Sequence, residues 1–519
     1  MRPYFNTAGP CVAGEHYMLS PSGRFPQVDR LIEEGKYFTI HAGRQTGKTT
    51  NARWLVKTLN TGDRYRSAWV DIQTCREEPD IEKTMREVLV ELGRAFRRDL
   101  PDVTEPSTEQ IEGWLRSPKS ALLSWLQHVS AESTRPLVVL FDEADGLMGP
   151  AMVSFLTQLR AGYVDRSATP FPHSLALIGM RQVRDFVIST EERREVAWLG
   201  TTSPFNITAE AVTLEPFTRD DVADLLGQHT EQTGQRFEAE AVERVFHLSQ
   251  GHPWLVNALA DQVVNRDVED RSVAVTAAHI EAAKETIITE RRTHIDSLIA
   301  KLREPRVRKI IEPMLVGART SEDVLDDDFA YVCGLGLIAK RDRRYQVANP
   351  IYREVIPRAL THIQEAQIPE ETAWYVRGDG SLDVPKLLAA WQTFWREDGH
   401  LAAAGFLYRE AGPHIMLMAF LQRVVNSGGR VEREYGLGRG ALDLMLTWGS
   451  ERYAVEVKLR RDTRTLERGV RQTASYLYHA GLDEGWLVLF DMRSDPTWEE
   501  KLFLRDERVG ARLVHVVGC

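Results

Sequence analysis

The sequence has few cysteines and no long apolar run. Its four cysteines are scattered over 519 residues, which indicates neither a disulfide framework nor a zinc site. The longest apolar run, residues 415–421, has seven residues, whereas a membrane-spanning helix needs about 18 to 20. The N-terminus has no charged stretch followed by an apolar core, so we expect no secretion signal. These absences predict a cytoplasmic protein without a membrane partner.

Basic residues are also scarce relative to acidic ones. The chain has 65 Lys and Arg against 75 Asp and Glu, a net charge of -10, which argues against a surface broadly coated by nucleic acid. Residues 401–519 differ, with 17 basic and 16 acidic residues. A polyanionic partner at the C-terminal end therefore stays open.

Hydrophobic patterning predicts an α/β protein with several domains. Between residues 36 and 217, short apolar runs alternate with amphipathic segments, which is typical of a parallel sheet covered by helices. A wholly helical stretch follows from Thr218, and then a helix–helix–strand–strand pattern and a further α/β unit. We predict the following domains: an ATPase core at 1–217, a helical lid at 218–304, a winged helix at 305–360, a linker or insertion at 361–402, and a second α/β domain at 403–519.

The segment HAGRQTGKTT, after the first apolar run, has the pattern of a phosphate-binding loop. Ala42 stands where such loops usually begin with glycine, but Gly47 and the following helix keep the chemistry. Backbone N–H groups converge on phosphate, Lys48 reaches the β- and γ-phosphates, and Thr49 offers a hydroxyl to Mg²⁺. The predicted nucleotide-binding residues are Ala42, Gly43, Arg44, Gln45, Thr46, Gly47, Lys48, Thr49 and Thr50.

Two further segments support a site for ATP and Mg²⁺. The apolar run PLVVLF ends in Asp142 and Glu143, and in this position the first carboxylate would hold Mg²⁺ and the second would polarise the attacking water. Arg181 follows the run LALIGM, where a nucleotidase places a polar sensor of the γ-phosphate. Together with the loop, these residues predict ATP hydrolysis.

On these motifs, residues 1–360 resemble the AAA+/STAND group of P-loop ATPases, particularly the AAA-like ATPases of bacteria and archaea. The resemblance implies strand order 5-1-4-3-2, a helical lid and a winged helix. GHPWL resembles the lid motif whose proline touches the nucleotide base, and this role falls on Pro253. SPFNI at 203–207 also resembles this group, but we assign it no chemistry. We also expect a homo-oligomer. Arg181 departs from the usual Asn, Ser or Thr sensor, and the arginine finger stays open among Arg160, Arg166, Arg184, Arg193 and Arg194.

The predicted winged helix has an acidic second helix, which DNA phosphates would repel. We therefore favour a packing or regulatory role over DNA reading. The acidic residues are Glu322, Asp323, Asp326, Asp327 and Asp328, and the basic residues of the wing are Lys340, Arg341, Arg343 and Arg344.

A second candidate site lies near the C-terminus, in a predicted β-hairpin. In YAVEVK the two-residue period places Glu456 and Lys458 on one face. If the turn lies at Gly449–Ser450, Asp443 comes close to them on the neighbouring strand. Two carboxylates can hold Mg²⁺ or Mn²⁺, and the ammonium can orient a nucleophile or a leaving phosphate. A surface salt-bridge network is the alternative.

The next helix adds polar side chains at four-residue spacing, Arg468, Gln472 and Tyr476, on one face. With the hairpin, this pattern resembles the PD-(D/E)xK nuclease superfamily, in the branch with a Q-x-x-x-Y motif, over residues 403–492. The resemblance implies a mixed sheet. It assigns the metal ligands to Asp443, Glu456 and the carbonyl of Val457, and catalytic roles to Asp443, Glu456, Lys458, Gln472 and Tyr476.

One residue departs from that resemblance, and the identity of one further residue stays open. Leu442 replaces the usual proline, and the extra glutamate of the superfamily is either Glu410, with His414 one turn later, or Glu434. Further phosphate contacts are expected from Arg460, Arg461, Arg464 and Arg471.

The whole chain is therefore predicted to be an ATP-controlled, metal-dependent nuclease, acting on DNA rather than RNA, with a role in defence against phage or in mobile elements. The alternative is a STAND-like signalling or scaffold ATPase that binds nucleic acid without cutting. A helicase-like motor ranks last, because no helicase motif series is present. We expect nucleotide to gate the nuclease, with the acidic segment 322–328 against the arginines at 460–471 in the inactive state.

Overall fold

A computed structural model describes most of the chain and divides it into two compact units, Met1–Ser297 with Asp323–Ile351, and Leu298–Glu322 with Tyr352–Cys519. No helix within the described ranges is both long and apolar enough to cross a membrane. Those ranges are 3–21, 26–179, 208–290, 292–315, 327–341, 344–365, 375–399, 411–425, 429–437, 440–462, 464–493 and 496–519.

The first unit contains a parallel five-stranded sheet in the order β2-β3-β4-β1-β5. The parallel α/β sheet is confirmed, and its order is the one that the family resemblance implied. β3 and β4 are buried along their whole length, which is why their sequences are continuous apolar runs. The strands are β1 (Tyr37–His41), β2 (Arg66–Asp71), β3 (Leu137–Asp142), β4 (Ser174–Gly179) and β5 (Thr208–Thr213).

Helices cover both faces of this sheet and bury two apolar cores. One core gathers Phe96, Trp125 and Phe155 around β3, and the other packs Leu31 and Leu55 against the opposite face. Local sequence determines several helix starts; Asp80, for example, accepts a hydrogen bond from the backbone of Lys83. The helices are α1 (Pro26–Glu33), α2 (Lys48–Thr61), α3 (Ile81–Asp99), α4 (Thr108–Leu115), α5 (Pro118–Glu132) and α6 (Gly149–Asp165).

The region predicted as a lid is helical. Thr218 starts its first helix by a reciprocal capping box with Asp221, as the sequence indicated. Its helices are α7 (Arg219–Thr233), α8 (Ala239–Ser249), α9 (Pro253–Gln262) and α10 (Ala277–Thr289), and α11 (Thr293–Lys301) follows.

Gly251 joins α8 to α9 where no side chain fits. Its φ is +75°, and a Cβ there would lie 1.9 Å from the carbonyl oxygen of Phe217, whose N–H donates to the Gly251 carbonyl over 2.8 Å. We expect Gly251→Ala to lower the free energy of unfolding by about 2 kcal/mol or more. Gly227→Ala is the control, because Gly227 lies within α7 with open space around it, and alanine there should stabilise by up to about 1 kcal/mol. Equal melting temperatures for the two variants would contradict this interpretation.

The helix–helix–strand–strand order predicted for the winged helix is present. Its strands pair antiparallel. Glu322, Asp323, Asp326 and Arg343 lie outside the described residues, so the acidic segment and its inhibitory role stay predictions. The elements are α12 (Pro305–Leu315), α13 (Asp327–Gly334), β6 (Ile338–Arg341), β7 (Arg344–Val347) and α14 (Pro350–Glu365).

The second unit contains a mixed six-stranded sheet in the order β12-β13-β11-β10-β9-β8. β11 pairs parallel with both β10 and β13, and the other pairs are antiparallel. The predicted mixed sheet therefore exists, and α17 packs its apolar side against one face of it. The elements are α15 (Val384–Phe394), α16 (Ala411–Val425), β8 (Gly429–Leu437), β9 (Gly440–Trp448), β10 (Glu451–Arg460), α17 (Thr465–Ala480), β11 (Glu484–Asp491), α18 (Trp498–Lys501), β12 (Leu504–Val509) and β13 (Arg512–Gly518).

Part of the predicted linker is an ordered helix of this unit. Trp391 on α15 contacts the rings of Phe420 and Phe490, and Gln392 Nε2 donates to the carbonyl of Gly518 over 2.6 Å. Residues 384–394 thus pack as part of the second unit. The predicted domain bounds otherwise stay predictions.

Candidate functional sites

The phosphate-binding loop connects β1 to α2, with Gly47 in the left-handed region at φ +89°. Lys48 is 8% exposed, and its Nζ donates to the carbonyls of Ala42 and Gly43, both over 2.9 Å. Burial lowers the pKa of this ammonium, against the charge of nearby carboxylates, foremost Glu143. An anionic phosphate would further stabilise the charged form of this buried ammonium.

The remaining loop residues are held by short polar contacts. Thr46 Oγ1 donates to the Gly43 carbonyl over 2.8 Å, and Gln45 has a positive φ of 57°. Arg44 donates to the hydroxyl of Ser297 over 2.6 Å, and Thr50 Oγ1 accepts a hydrogen bond from the N–H of Cys11. The contact with Cys11 comes from an N-terminal segment to which the sequence analysis assigned no role.

Asp142 lies at the carboxyl end of β3, next to the loop. Thr49 Oγ1 donates to its Oδ2 over 2.7 Å, so the two residues predicted to hold Mg²⁺ are adjacent. Trp69 Nε1 donates to the same oxygen over 3.1 Å, and the N–H of Glu143 donates to Oδ1 over 3.0 Å. Burial raises the pKa of Asp142, and the hydrogen bonds from Thr49 and Trp69 oppose this rise.

Glu143 follows directly, with a positive φ of 57°. This conformation is costly for a non-glycine residue and is concentrated at functional sites. Burial raises the pKa of its carboxyl, assisted by the charges of Asp145 and Asp142. The guanidinium of Arg76 is 2.7 Å from Glu143 Oε2. Sequence reasoning missed both Arg76 and Trp69, because neither belongs to a recognisable motif.

Pro253 begins α9 in the predicted lid and is buried. Its neighbour His252 contacts the loop, with Nε2 3.2 Å from the carbonyl oxygen of Arg44. The predicted base-contacting residue therefore lies beside a residue that touches the phosphate-binding loop.

Several predicted residues of the nucleotide site lie outside the described residues, namely Arg181, the arginine-finger candidates Arg184, Arg193 and Arg194, and the segment 203–207. Two other candidates are described. Arg160 lies on α6, and Arg166 donates to the carbonyls of Gly35 and His173, just before β1 and β4. The contacts of Arg166 are thus at the end of the sheet opposite the phosphate-binding loop.

The second site forms around the hairpin of β9 and β10. Trp448 pairs with Glu451 across a turn at residues 449–450, so the turn lies where the prediction required it. The N–H of Val457 donates to Asp443 Oδ2 over 2.8 Å, and Lys458 Nζ lies 2.5 Å from Glu456 Oε1 and 3.8 Å from Asp443 Oδ2. The structure thus brings Asp443, Glu456 and Lys458 together.

Burial and neighbouring charge shift the pKa values of Glu456 and Lys458. Glu456 is 1% exposed, and burial together with the charge of Asp443 raises the pKa of Glu456 to about 7. Burial by itself lowers the pKa of Lys458, but the charges of Asp443 and Glu456 outweigh it and the pKa is raised. Within the ranges the structure describes, no group of three or more His, Cys, Asp and Glu is arranged for a metal. The predicted ligands, two carboxylates and the backbone carbonyl of Val457, are all oxygen donors, the type that Mg²⁺ and Mn²⁺ prefer.

α17 lies close against this cluster at Gly469. A Cβ at Gly469 would lie 3.5 Å from Lys458 Cγ and 2.9 Å from Leu487 Cδ2. On the same helix, Gln472 Nε2 donates to Tyr476 Oη over 2.7 Å, so these two side chains are in contact, and their supporting role stays a prediction.

Two of the arginines predicted to contact phosphate are paired with acids, Arg460 with Asp491 and Arg471 with Glu467. Arg468, on the same helix as Arg471, pairs with Asp462. Glu410 and the side chain of Glu434 lie outside the described residues, and His414 lies on α16.

Comparison with known proteins gives two family matches. The AAA-like domain family matches residues 12–357, and a domain of unknown function (DUF8371) matches residues 388–494. The second match supports no nuclease identity. A search of curated proteins finds no match.

Among solved structures, the chain is similar to the Walker-type ATPase PABY2304 of Pyrococcus abyssi, at 14% identity and TM-score 0.49, covering 68% of this chain and 99% of that one. It is also similar to the Aeropyrum pernix ORC2 protein, at 15% identity and TM-score 0.38, covering 66% and 92%. Cdc6p from Pyrobaculum aerophilum is similar at 12% identity and TM-score 0.36, covering 69% and 98%. At these values the likenesses carry no functional argument.

The family match spans well over half of the chain and contains the whole phosphate-binding loop, Asp142 and the helices predicted to form a lid. The chain therefore belongs to the AAA-like domain family of P-loop ATPases, and ATP binding and hydrolysis are the activities that this membership supports.

Proposed function

We propose that this ATPase carries a metal-dependent DNA nuclease in its C-terminal domain. The proposal rests on one observation: Lys458 contacts the carboxylates of both Glu456, on its own strand, and Asp443, on the neighbouring strand. Burial and the charge of Asp443 both raise the pKa of Glu456, and such an arrangement is costly for a purely structural salt bridge.

Asp443, Glu456 and the carbonyl of Val457 would hold a divalent cation. When bound, Mg²⁺ or Mn²⁺ activates water and stabilises the negative charge that develops on the phosphate. Lys458 contacts both carboxylates, so its ammonium can orient the nucleophile or contact the scissile phosphate. Gln472 and Tyr476 support the site from α17 through their mutual hydrogen bond.

Positive charge accompanies the site, which suits a nucleic-acid substrate, and we propose DNA rather than RNA. The side chains of Arg468 and Arg471 are 69% and 72% exposed on α17, where exchange of their acidic partners for phosphates costs little. We extend the proposal to a homo-oligomer with a function in defence or mobile elements.

In the ATPase, we propose that Lys48 binds the β- and γ-phosphates and that Thr49 and Asp142 hold Mg²⁺. Glu143 polarises the attacking water, and Pro253 contacts the base. The hydrogen bonds to Asp142 from Thr49 and from the backbone of Glu143 support this assignment. Nucleotide gates the nuclease in this proposal.

The test is incubation of the purified protein with supercoiled plasmid and linear duplex DNA. Mg²⁺ or Mn²⁺ is supplied, with ATP, with ADP or without nucleotide. We expect cleavage that requires metal, is lost with EDTA, and changes in rate with the nucleotide. Intact DNA under every condition would overturn the nuclease and favour the alternative of a scaffold ATPase that binds nucleic acid without cutting.

A further inference from the structure

We infer that Trp69 is a positioning residue for nucleotide-bound Mg²⁺, acting through a hydrogen bond from its indole N–H to Asp142. The inference rests on the proposed role of Asp142 as the carboxylate that holds this ion. Trp69 belongs to no motif, and the sequence showed it only as part of an apolar strand.

The carboxylate of Asp142 is held by three donors from three segments. Its Oδ2 accepts from Thr49 on α2 and from Trp69 on β2, and its Oδ1 accepts from the backbone of Glu143. A carboxylate offers about four acceptor positions, so three donors orient its plane and still leave room for a metal bond. Trp69 supplies the donor that comes from the neighbouring strand of the sheet.

The sheet register explains how Trp69 reaches Asp142. In the parallel pair β2–β3, Trp69 lies opposite Leu140, and Asp142 is two residues further along β3. Residues two apart on a strand share a face, so Trp69 and Asp142 are diagonal neighbours on one face. An indole is long enough to span that diagonal, and its N–H is a donor only.

Trp69 is itself held in place. It is 3% exposed, its backbone N–H donates to Asp99 Oδ2 over 3.0 Å, and its carbonyl accepts from Arg98 over 2.5 Å. The guanidinium carbon of Arg53 lies 4.3 Å from the centroid of the indole ring, within the range of a cation–π contact. A donor held by these contacts can set the direction of a carboxylate, as supporting residues do around metal ligands.

The test variant is Trp69→Phe, which keeps an aromatic ring and removes the N–H. The control is Trp125→Phe, because Trp125 is fully buried in the core on the other face and its Nε1 has no hydrogen-bond partner in the described part of the chain. The control thus loses a buried indole without losing a hydrogen bond.

The readouts are the melting-temperature increase caused by ADP at increasing Mg²⁺, and the kcat and KM of ATP turnover. For Trp69→Phe we expect the Mg²⁺ concentration for half-maximal stabilisation to rise about fivefold to tenfold, with metal-free ADP binding unchanged. The loss in turnover should be in kcat, and raised Mg²⁺ should restore part of it. Trp125→Phe should lose thermal stability but keep the wild-type Mg²⁺ dependence. Equal Mg²⁺ dependence in both variants would overturn the inference.

The variant Asp142→Asn distinguishes a failure of this inference from a failure of the proposed role of Asp142 as a metal ligand. If Asp142→Asn leaves Mg²⁺ dependence unchanged, the proposed metal ligand is wrong; if it weakens the dependence and Trp69→Phe does not, only the role of Trp69 is wrong. Should Trp69→Phe fail to fold, ¹⁵N-indole spectra decide the matter. One indole signal of the 12 tryptophans must shift in Asp142→Asn relative to wild type, and the absence of that shift would contradict the hydrogen bond.

Discussion

Replacing Asp443 with Asn is expected to lower DNA cleavage by roughly a hundredfold or more. The change removes one of the two carboxylates that would hold the metal, while an oxygen remains to accept the N–H of Val457. Lys458→Ala should reduce cleavage similarly, because it removes the only ammonium that contacts Asp443 and Glu456 among the residues the structure describes. Cleavage is measured on end-labelled duplex DNA with Mg²⁺.

ATP turnover of the same variants should stay within about twofold of wild type, because Asp443 and Lys458 take no part in the proposed ATP site. Asp483→Asn is the matched control, since Asp483 is an exposed acid of the same domain that pairs with Arg512. It should cut DNA at the wild-type rate. Cleavage by Asp443→Asn at the rate of Asp483→Asn would rule out the metal site.

Lys48→Ala is expected to weaken nucleotide binding by roughly a hundredfold or more. The ammonium is buried in the loop, held by the carbonyls of Ala42 and Gly43, whereas the other cation of the loop, Arg44, donates to Ser297. Glu143→Gln should bind ATP normally and stop hydrolysis, because an amide cannot polarise water as a carboxylate does. Binding is measured by calorimetry and hydrolysis by phosphate release.

Lys57→Ala is the control for Lys48→Ala, since Lys57 lies on the same helix and is exposed. It should bind and hydrolyse ATP as wild type does. Equal phosphate release by Glu143→Gln and wild type would show that Glu143 does not act on the water.

The ATPase sheet was predictable because buried parallel strands carry a strong sequence signal. PLVVLF and SLALIG are almost wholly apolar, and the corresponding strands are buried at every position. The last strand was harder, because TAEAVT mixes small and polar residues. The predicted run AVTLEP begins three residues after the strand does.

Hairpin geometry also made the C-terminal cluster predictable. A two-residue turn determines which residues face each other, and it favours a positive φ at its first residue, as Gly449 has at 57°. The chemistry of the cluster stays a prediction, because a salt bridge and a metal site use the same types of side chain.

Other contacts could not be predicted from any local pattern in the sequence. Trp69 and Asp142 are 73 residues apart, and their hydrogen bond depends on the register between β2 and β3, which no local pattern encodes. Arg76 likewise meets Glu143 from 67 residues earlier in the chain. Such contacts form only when the sheet assembles, so periodicity and motif spacing do not predict them.

The central claim, a metal-dependent nuclease within an AAA-like ATPase, is tested most directly by the rate at which supercoiled plasmid is converted to nicked and linear DNA. Wild type and the double variant Asp443→Asn with Lys458→Ala are purified side by side and compared in Mg²⁺ and in Mn²⁺. We expect wild type to convert the plasmid, and the double variant to be slower by roughly a hundredfold or more while it hydrolyses ATP at a similar rate. Equal conversion by the two proteins, or no conversion by wild type with either metal, would contradict the claim.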